Sequence, residues 1–157
     1  QTDRFMLKVI VDYPNRSEEL QILRRMSKTG AKFDIQPVTS PQEIMAAREL
    51  VDQVHVAEKI ENYIVDLVMA TRNPEAYGLK LKDLIQFGGS PRATINLTLV
   101  AKANAFLSGR GYVVPQDVKD MALDVLRHRV VITYEAEAED RTSESIVTEI
   151  LNHVPVP

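Results

Sequence analysis

Gly-Gly-Ser-Pro-Arg-Ala at residues 88–93 fixes the start of a helix more tightly than any other stretch of this chain. Ser90 can accept hydrogen bonds from first-turn amides, and Pro91 sits at the first helical position with φ already set and no amide to leave unpaired. Ser40-Pro41 repeats the device, and Glu43 completes a capping box with Ser40. Pro115 opens another helix, whereas Pro74 forbids continuation of the one ahead of it. A chain punctuated this way folds into a set of short helices.

Apolar periodicity fills in those helices. Leu20, Leu23 and Met26 recur at helical spacing in a segment that Asn15 or Ser17 can cap and Gly30 stops. The helix opened by Ser40 runs through Leu50 and Val51, after a connector at residues 31–40 that contains Pro37. Val56, Ile60, Tyr63, Ile64, Leu67 and Val68 form one stripe, which predicts a helix at the centre of the core. The helix from Ser90 is expected to bury Ile95, Leu99, Val100, Ala103, Phe106 and Leu107, to end at Gly109 or Gly111, and to use its alanines for close packing against a neighbour. The helix from Pro115 places Val118, Met121, Ala122, Val125 and Leu126 on one face, with Arg127, His128 and Arg129 in the last turn, where cations suit the dipole. Val114 cannot cap that helix, so Asp117 in its first turn is expected to compensate in part. Residues 74–89 read as a loop whose Leu79, Leu81, Leu84 and Ile85 dock on the bundle or make a short turn. The acidic run at 135–140 reads as an exposed linker, followed by a short helix carrying Ile146, Val147, Ile150 and Leu151.

Only residues 5–13 show convincing strand alternation in the first two-thirds of the chain, with Phe5, Leu7, Val9, Val11 and Tyr13 on one face and Pro14 as terminator. A single strand cannot make a sheet, so its partners are expected outside this chain. The predicted fold is mainly α: a small helical bundle preceded by one orphan β-strand. The expected organisation is a terminal strand at 1–14, a connecting helix and linker at 15–40, the helical domain at 41–134, and the acidic linker with its short helix at 135–157.

Composition narrows the chemistry. At 157 residues the chain can bury one core, and 45% apolar with 26% charged residues is ordinary for a globular domain. A net charge of −3 gives no general attraction to nucleic acid or anionic membrane. There is no cysteine, and His55, His128 and His153 lack the spacing of metal ligands, so no metal is expected. No apolar run approaches the roughly 18 residues of a membrane span and no secretory leader is visible, which makes the cytoplasm the expected location. The chain begins with Gln1 rather than methionine, as a processed chain or a piece of a longer one would.

No Gly-x-x-x-x-Gly-Lys-Ser/Thr loop is present, nor an apolar run ending in paired acids for magnesium, so this chain alone is expected not to hydrolyse ATP. Glu18-Glu19 reads as first-turn acids rather than an acid/base pair. Arg92 is the anomaly, because a cation at the positive end of a helix costs about 0.3–1 kcal/mol unless an anion is near. Either it meets a phosphate at the helix start or it is a solvated side chain. Two rival readings stand beside a nucleotide role. A nucleic-acid binder would use the basic residues Arg24, Arg25, Lys28, Lys80 and Lys82, although these are scattered; a helical protein adaptor would have no need of Arg92.

Several motifs in order carry a resemblance. Gly-Gly-Ser-Pro-Arg-Ala at 88–93, the helix through Ala101 and Ala105, Gly-Tyr-Val-Val-Pro-Gln-Asp-Val at 111–118 and Val-Leu-Arg-His-Arg at 125–129 resemble the C-terminal lid of the MoxR group of AAA+ ATPases. Gln-Thr-Asp-Arg-Phe-Met at 1–6, with Tyr13-Pro14, resembles the segment after sensor 1 in the same group, so the likeness runs from residue 1 to about 131. Val114 departs from the Thr or Ser usual at that cap. The resemblance implies that the orphan strand belongs to a missing α/β core and the bundle is an AAA+ lid. Arg92 would be a sensor 2 arginine at the nucleotide, supported by Ser90 and Pro91, and Arg4 an arginine finger acting in trans. It further implies ATP and Mg2+ in the intact protein but none in this chain alone, a cytoplasmic homo-oligomeric ring, and chaperone-like action on protein clients, von Willebrand factor A domain proteins among them. Nucleic acid and membrane partners are not implied.

Overall fold

The computed structural model describes residues 1–30 and 35–157. Seven α-helices dominate the described residues: α1 (Arg16–Met26), α2 (Pro41–Asp52), α3 (Glu58–Arg72), α4 (Pro91–Leu107), α5 (Pro115–Leu126), α6 (Tyr134–Ala138) and α7 (Ser143–His153). Strands β1 (Ile85–Phe87) and β2 (Val131–Ile132) pair antiparallel, with Ile85 opposite Ile132. Part of the connector expected at 31–40, residues 31–34, lies outside the described residues.

The helix starts are built as their sequences require. Asn15 accepts from the amides of Ser17 and Glu18 while Glu18 accepts from the Asn15 amide, and Ser40 and Glu43 exchange bonds in the same way. Neither α1 nor α2 has a buried residue, and Leu23, Met26, Ile44 and Met45 are all more than half exposed. These helices are locally encoded but lie outside the core.

The core begins at Val54 and forms one cluster through Val154. As the apolar stripe predicts, α3 is at its centre: Ile60, Tyr63, Ile64, Leu67 and Val68 are buried, and the helix packs on α4, α7 and β1. Val118, Ala122, Val125 and Leu126 of α5 are buried too, with Met121 at the margin. The 74–89 loop docks as expected, through two 3-10 turns (Pro74–Tyr77 and Lys82–Leu84) and the buried Leu79, Leu81 and Leu84, and it contributes β1.

Three expectations need correction. On α4 the deeply buried face is Ala93, Leu97, Val100, Ala101 and Ala105, whereas Ile95, Leu99 and Leu107 are exposed. This helix is apolar around most of its circumference, so periodicity does not single out a face; Ala93, Leu97, Ala101 and Ala105, four residues apart, form the fully buried stripe. Leu99, Ala103, Phe106 and Leu107 instead line a groove toward α2. The acidic run is not simply a linker: Thr133 caps α6, and Ala136 within it is fully buried. Residues 5–13 form no ladder among the described residues; Leu7 packs at the core margin, while Val9, Val11 and Tyr13 are exposed. Alternation describes faces, but a strand needs a neighbour to take its hydrogen bonds. The C-terminal helix does form, with Ile146, Val147 and Ile150 fully buried.

Candidate functional site

The start of α4 is placed by its glycines. Gly88 runs so close to the end of α3 that a Cβ there would lie 2.4 Å from the Thr71 carbonyl oxygen. The Gly89 amide donates to Thr71 Oγ1 at 2.9 Å, that hydroxyl donates to Val68 O at 2.6 Å, and Arg72 Nε donates to Gly89 O at 2.5 Å. Gly88 is what this close approach requires, whereas a Cβ on Gly89 would meet the Ala93 side chain at 3.0 Å. Ser90 is thereby locked against the C-terminal turn of α3.

Ser90 caps α4 through its Oγ, which accepts from the Arg92 amide at 3.2 Å, and the Ala93 amide bonds the Ser90 carbonyl at 2.8 Å. Pro91 has no amide. The first-turn donors are therefore already engaged or absent, and the group left to meet an anion is the Arg92 guanidinium, whose side chain is 65% exposed. It meets one within the chain: Arg92 Nη1 lies 3.3 Å from Asp3 Oδ2. The Ser90 hydroxyl donates to the same carboxylate, 2.9 Å from Oδ2 and 3.0 Å from Oδ1. The cation that costs energy at a helix start thus has its counter-charge in Asp3.

Asp3 is held in turn by Arg129, whose side chain is fully buried. Its Nε donates to Asp3 Oδ1 at 3.2 Å, and its Nη atoms donate to the carbonyls of Asp3, Phe5, Met6 and Val125. His128 Nε2 lies 3.0 Å from Phe5 O, Arg127 Nη1 donates to Lys8 O at 3.0 Å, and the Lys8 amide donates to Asp124 O at 2.8 Å. The basic run expected in the last turn of α5 instead follows the helix, which ends at Leu126, and it grips the backbone of residues 3–8. Helical spacing and the dipole argument do not reveal this role for Arg127, His128 and Arg129. The signal was present as three consecutive cationic or polar residues after a buried stripe, but their partner lies more than 110 residues away.

The charges are consistent with this geometry. Burial raises the Asp3 carboxyl, but the Ser90 hydroxyl and the Arg92 and Arg129 guanidiniums outweigh it and hold it below the usual carboxylate value. Burial lowers Arg129 against the opposing pull of Asp3, and burial lowers His128 against its bond to Phe5. Arg4 is exposed and lies over the Phe5 ring, 5.2 Å from the centroid. The structure therefore brings Ser90, Pro91 and Arg92 together with Asp3, next in sequence to Arg4. His55, before α3, His128, after α5, and His153, at the end of α7, stay in separate parts of the chain, and no group of three His, Asp or Glu among the described residues could hold a metal.

Residues 81–150 match the AAA lid domain family. Over its full length the chain is 37% identical to Chaperone MoxR1 of Mycobacterium tuberculosis, covering 41% of that protein, and 99% of it is 31% identical to Protein MoxR of Paracoccus denitrificans, covering 49%. The chain belongs to the MoxR-type AAA+ family. It corresponds to the lid region and spans less than half the length of those relatives. A crystal structure of a protein from Cytophaga hutchinsonii ATCC 33406, classed provisionally as an ATPase, superposes with a TM-score of 0.94 at 40% identity, over 99% of this chain and 48% of that one. The mainly helical fold of this chain is thus shared with that protein of solved structure.

Proposed function

We propose that this MoxR-type lid senses nucleotide in a longer ATPase, with Arg92 as the sensor 2 arginine on the ATP phosphates and Arg4 as the finger offered to a neighbouring subunit. The observation that carries the reading is the exposed Arg92 guanidinium on a rigid helix start, already paired with an anionic oxygen at 3.3 Å. A group that binds a carboxylate there has the charge and donor geometry to bind phosphate. Ser90 and Pro91 serve it by fixing the first turn of α4. Mg2+ and the rest of the nucleotide would be held by protein outside this chain, and hydrolysis would supply the energy for remodelling or activating partner proteins. The relatives' family and the chaperone name of one support action on protein clients; a homo-oligomeric ring, and von Willebrand factor A domain proteins as candidate clients, are part of the same proposal. No helix among the described residues is long and apolar enough to cross a membrane, and a cytoplasmic location is part of the same proposal.

The test is ATP hydrolysis by the full-length protein that carries this chain. Arg92→Ala is expected to abolish nucleotide-coupled turnover. Arg4→Ala is expected to lose about 10³-fold or more in kcat, the scale of an arginine finger, and to regain activity when mixed with subunits that supply a native Arg4 but lack a working ATP site. Full activity of both variants would leave a helical adaptor.

A further inference from the structure

The Ser90–Arg92 turn has an internal anion, and that anion belongs to the segment that carries Arg4. Asp3, Arg4 and Thr2 form one 3-10 turn, so the carboxylate that pairs with Arg92 is one residue from the exposed Arg4 side chain. Asp3 is not a loosely placed surface acid. Both its oxygens accept from Ser90, one also meets Arg92 and the other Arg129, and the Arg129 guanidinium binds the Asp3 carbonyl at 3.0 Å as well.

The two arginines on Asp3 differ in what they can do. Arg129 is fully buried, with its donors spent on fixed carbonyls, so it cannot leave. Arg92 is 65% exposed, makes a single 3.3 Å contact to Asp3, and can swing away at the small cost of a surface ion pair. We propose that Asp3 is a positioning residue whose carboxylate occupies Arg92 as an intrachain rival to nucleotide phosphate, held at its post by Ser90 and Arg129. This rests on the sensor reading of Arg92. Phosphate, with more charge than a carboxylate, draws Arg92 off Asp3, and Asp3 stays clamped on Arg129. The rivalry sets how much phosphate affinity Arg92 shows.

The experiment is a double-mutant cycle in the full-length protein, with Mg-ATP binding measured by calorimetry. Asp3→Asn keeps the shape and the Ser90 bond but removes the rival charge, and is expected to tighten ATP binding about two- to fivefold, the scale of a surface ion pair. Arg92→Ala is expected to weaken binding, and Asp3→Asn added to it is expected to change nothing further. Asp3→Glu, which keeps the charge, is expected to retain native affinity. Thermal unfolding of each variant identifies any that fails to fold, and the cycle is read from those that do.

The inference is overturned if Asp3→Asn leaves ATP affinity unchanged or weakens it, or if its effect is equal with and without Arg92. In that event a weakened Arg92→Ala still upholds the sensor reading. An Arg92→Ala variant that binds and hydrolyses ATP normally overturns both.

Discussion

At the scale of single residues, Asp117 shows how a missing cap is made good. Val114 offers no side-chain acceptor, and the Asp117 carboxylate reaches back to accept from the Val114 amide at 2.8 Å. It also accepts from Arg110 at 2.5 and 2.7 Å and from Asn104 Nδ2 at 3.0 Å, while its side chain is only 2% exposed. Burial raises this carboxyl, but Arg110, the Val114 amide and Asn104 prevail and hold it below the ordinary value of 3.8. Because the folded value is depressed, the unfolded chain takes up the proton first. Its contribution is therefore complete above about pH 4 and is lost as pH falls from the unfolded value through the folded one. Asp117→Ala is expected to destabilise the protein by about 1.5–3 kcal/mol at pH 7, the range of hydrogen bonds to a charged group. Chemical denaturation at pH 7 and near pH 3 checks it, since the gap between native and variant should shrink in acid. A partial role for Asp117 was legible in the sequence; its ties to Arg110, in the α4–α5 connection, and to Asn104, in α4, were not, because they exist only once the chain turns back at that connection.

At the scale of elements, the junction of α3, the glycine pair and α4 fixes where Arg92 points. Ser90-Pro91 says that a helix starts but not what it starts against. The answer is the Thr71 carbonyl, against which only a residue without Cβ fits at position 88. Gly88→Ala is expected to cost about 1–3 kcal/mol, as overpacking against fixed backbone does, and to shift the α4 start. Its thermal midpoint and the amide exchange of Gly89, which donates to Thr71, report both effects. The α4 face was misread for a related reason. Several faces of α4 are apolar, so periodicity cannot rank them, and tertiary packing buries Leu97, Ala101 and Ala105 while it leaves Leu107 exposed.

At the scale of the whole molecule, the core runs from Val54 to Val154 and closes with α7. Ile146, Val147 and Ile150 are fully buried, and α7 packs on α3 and α5, so the tail is part of the bundle. Ile150→Ala is expected to destabilise the fold by about 2–5 kcal/mol, as for a large-to-small change in a core that cannot collapse around it. Urea titration would read it as a lower midpoint with an unchanged slope. By contrast, the apolar sides of α1 and α2 carry exposed Leu23, Met26, Ile44 and Met45, and alanine at these positions should leave that midpoint nearly untouched.

The sequence by itself determined what is decided within a few residues: the capped starts of α1, α2 and α4, the proline-defined boundary of α3, the buried stripes of α3 and α5, and the family to which the ordered motifs belong. These depend on capping, φ restriction and side-chain spacing, which are local. Only the tertiary structure decided that Arg129 would be a buried clamp rather than a dipole partner, that Asp3 would neutralise Arg92, and that Ala136 would turn an acidic run inward. The partners in the first two cases are separated by 126 and 89 residues. Nothing in the spacing of charges along a chain encodes such a pairing, because it exists only once the bundle has brought the N-terminal turn against the start of α4 and the end of α5.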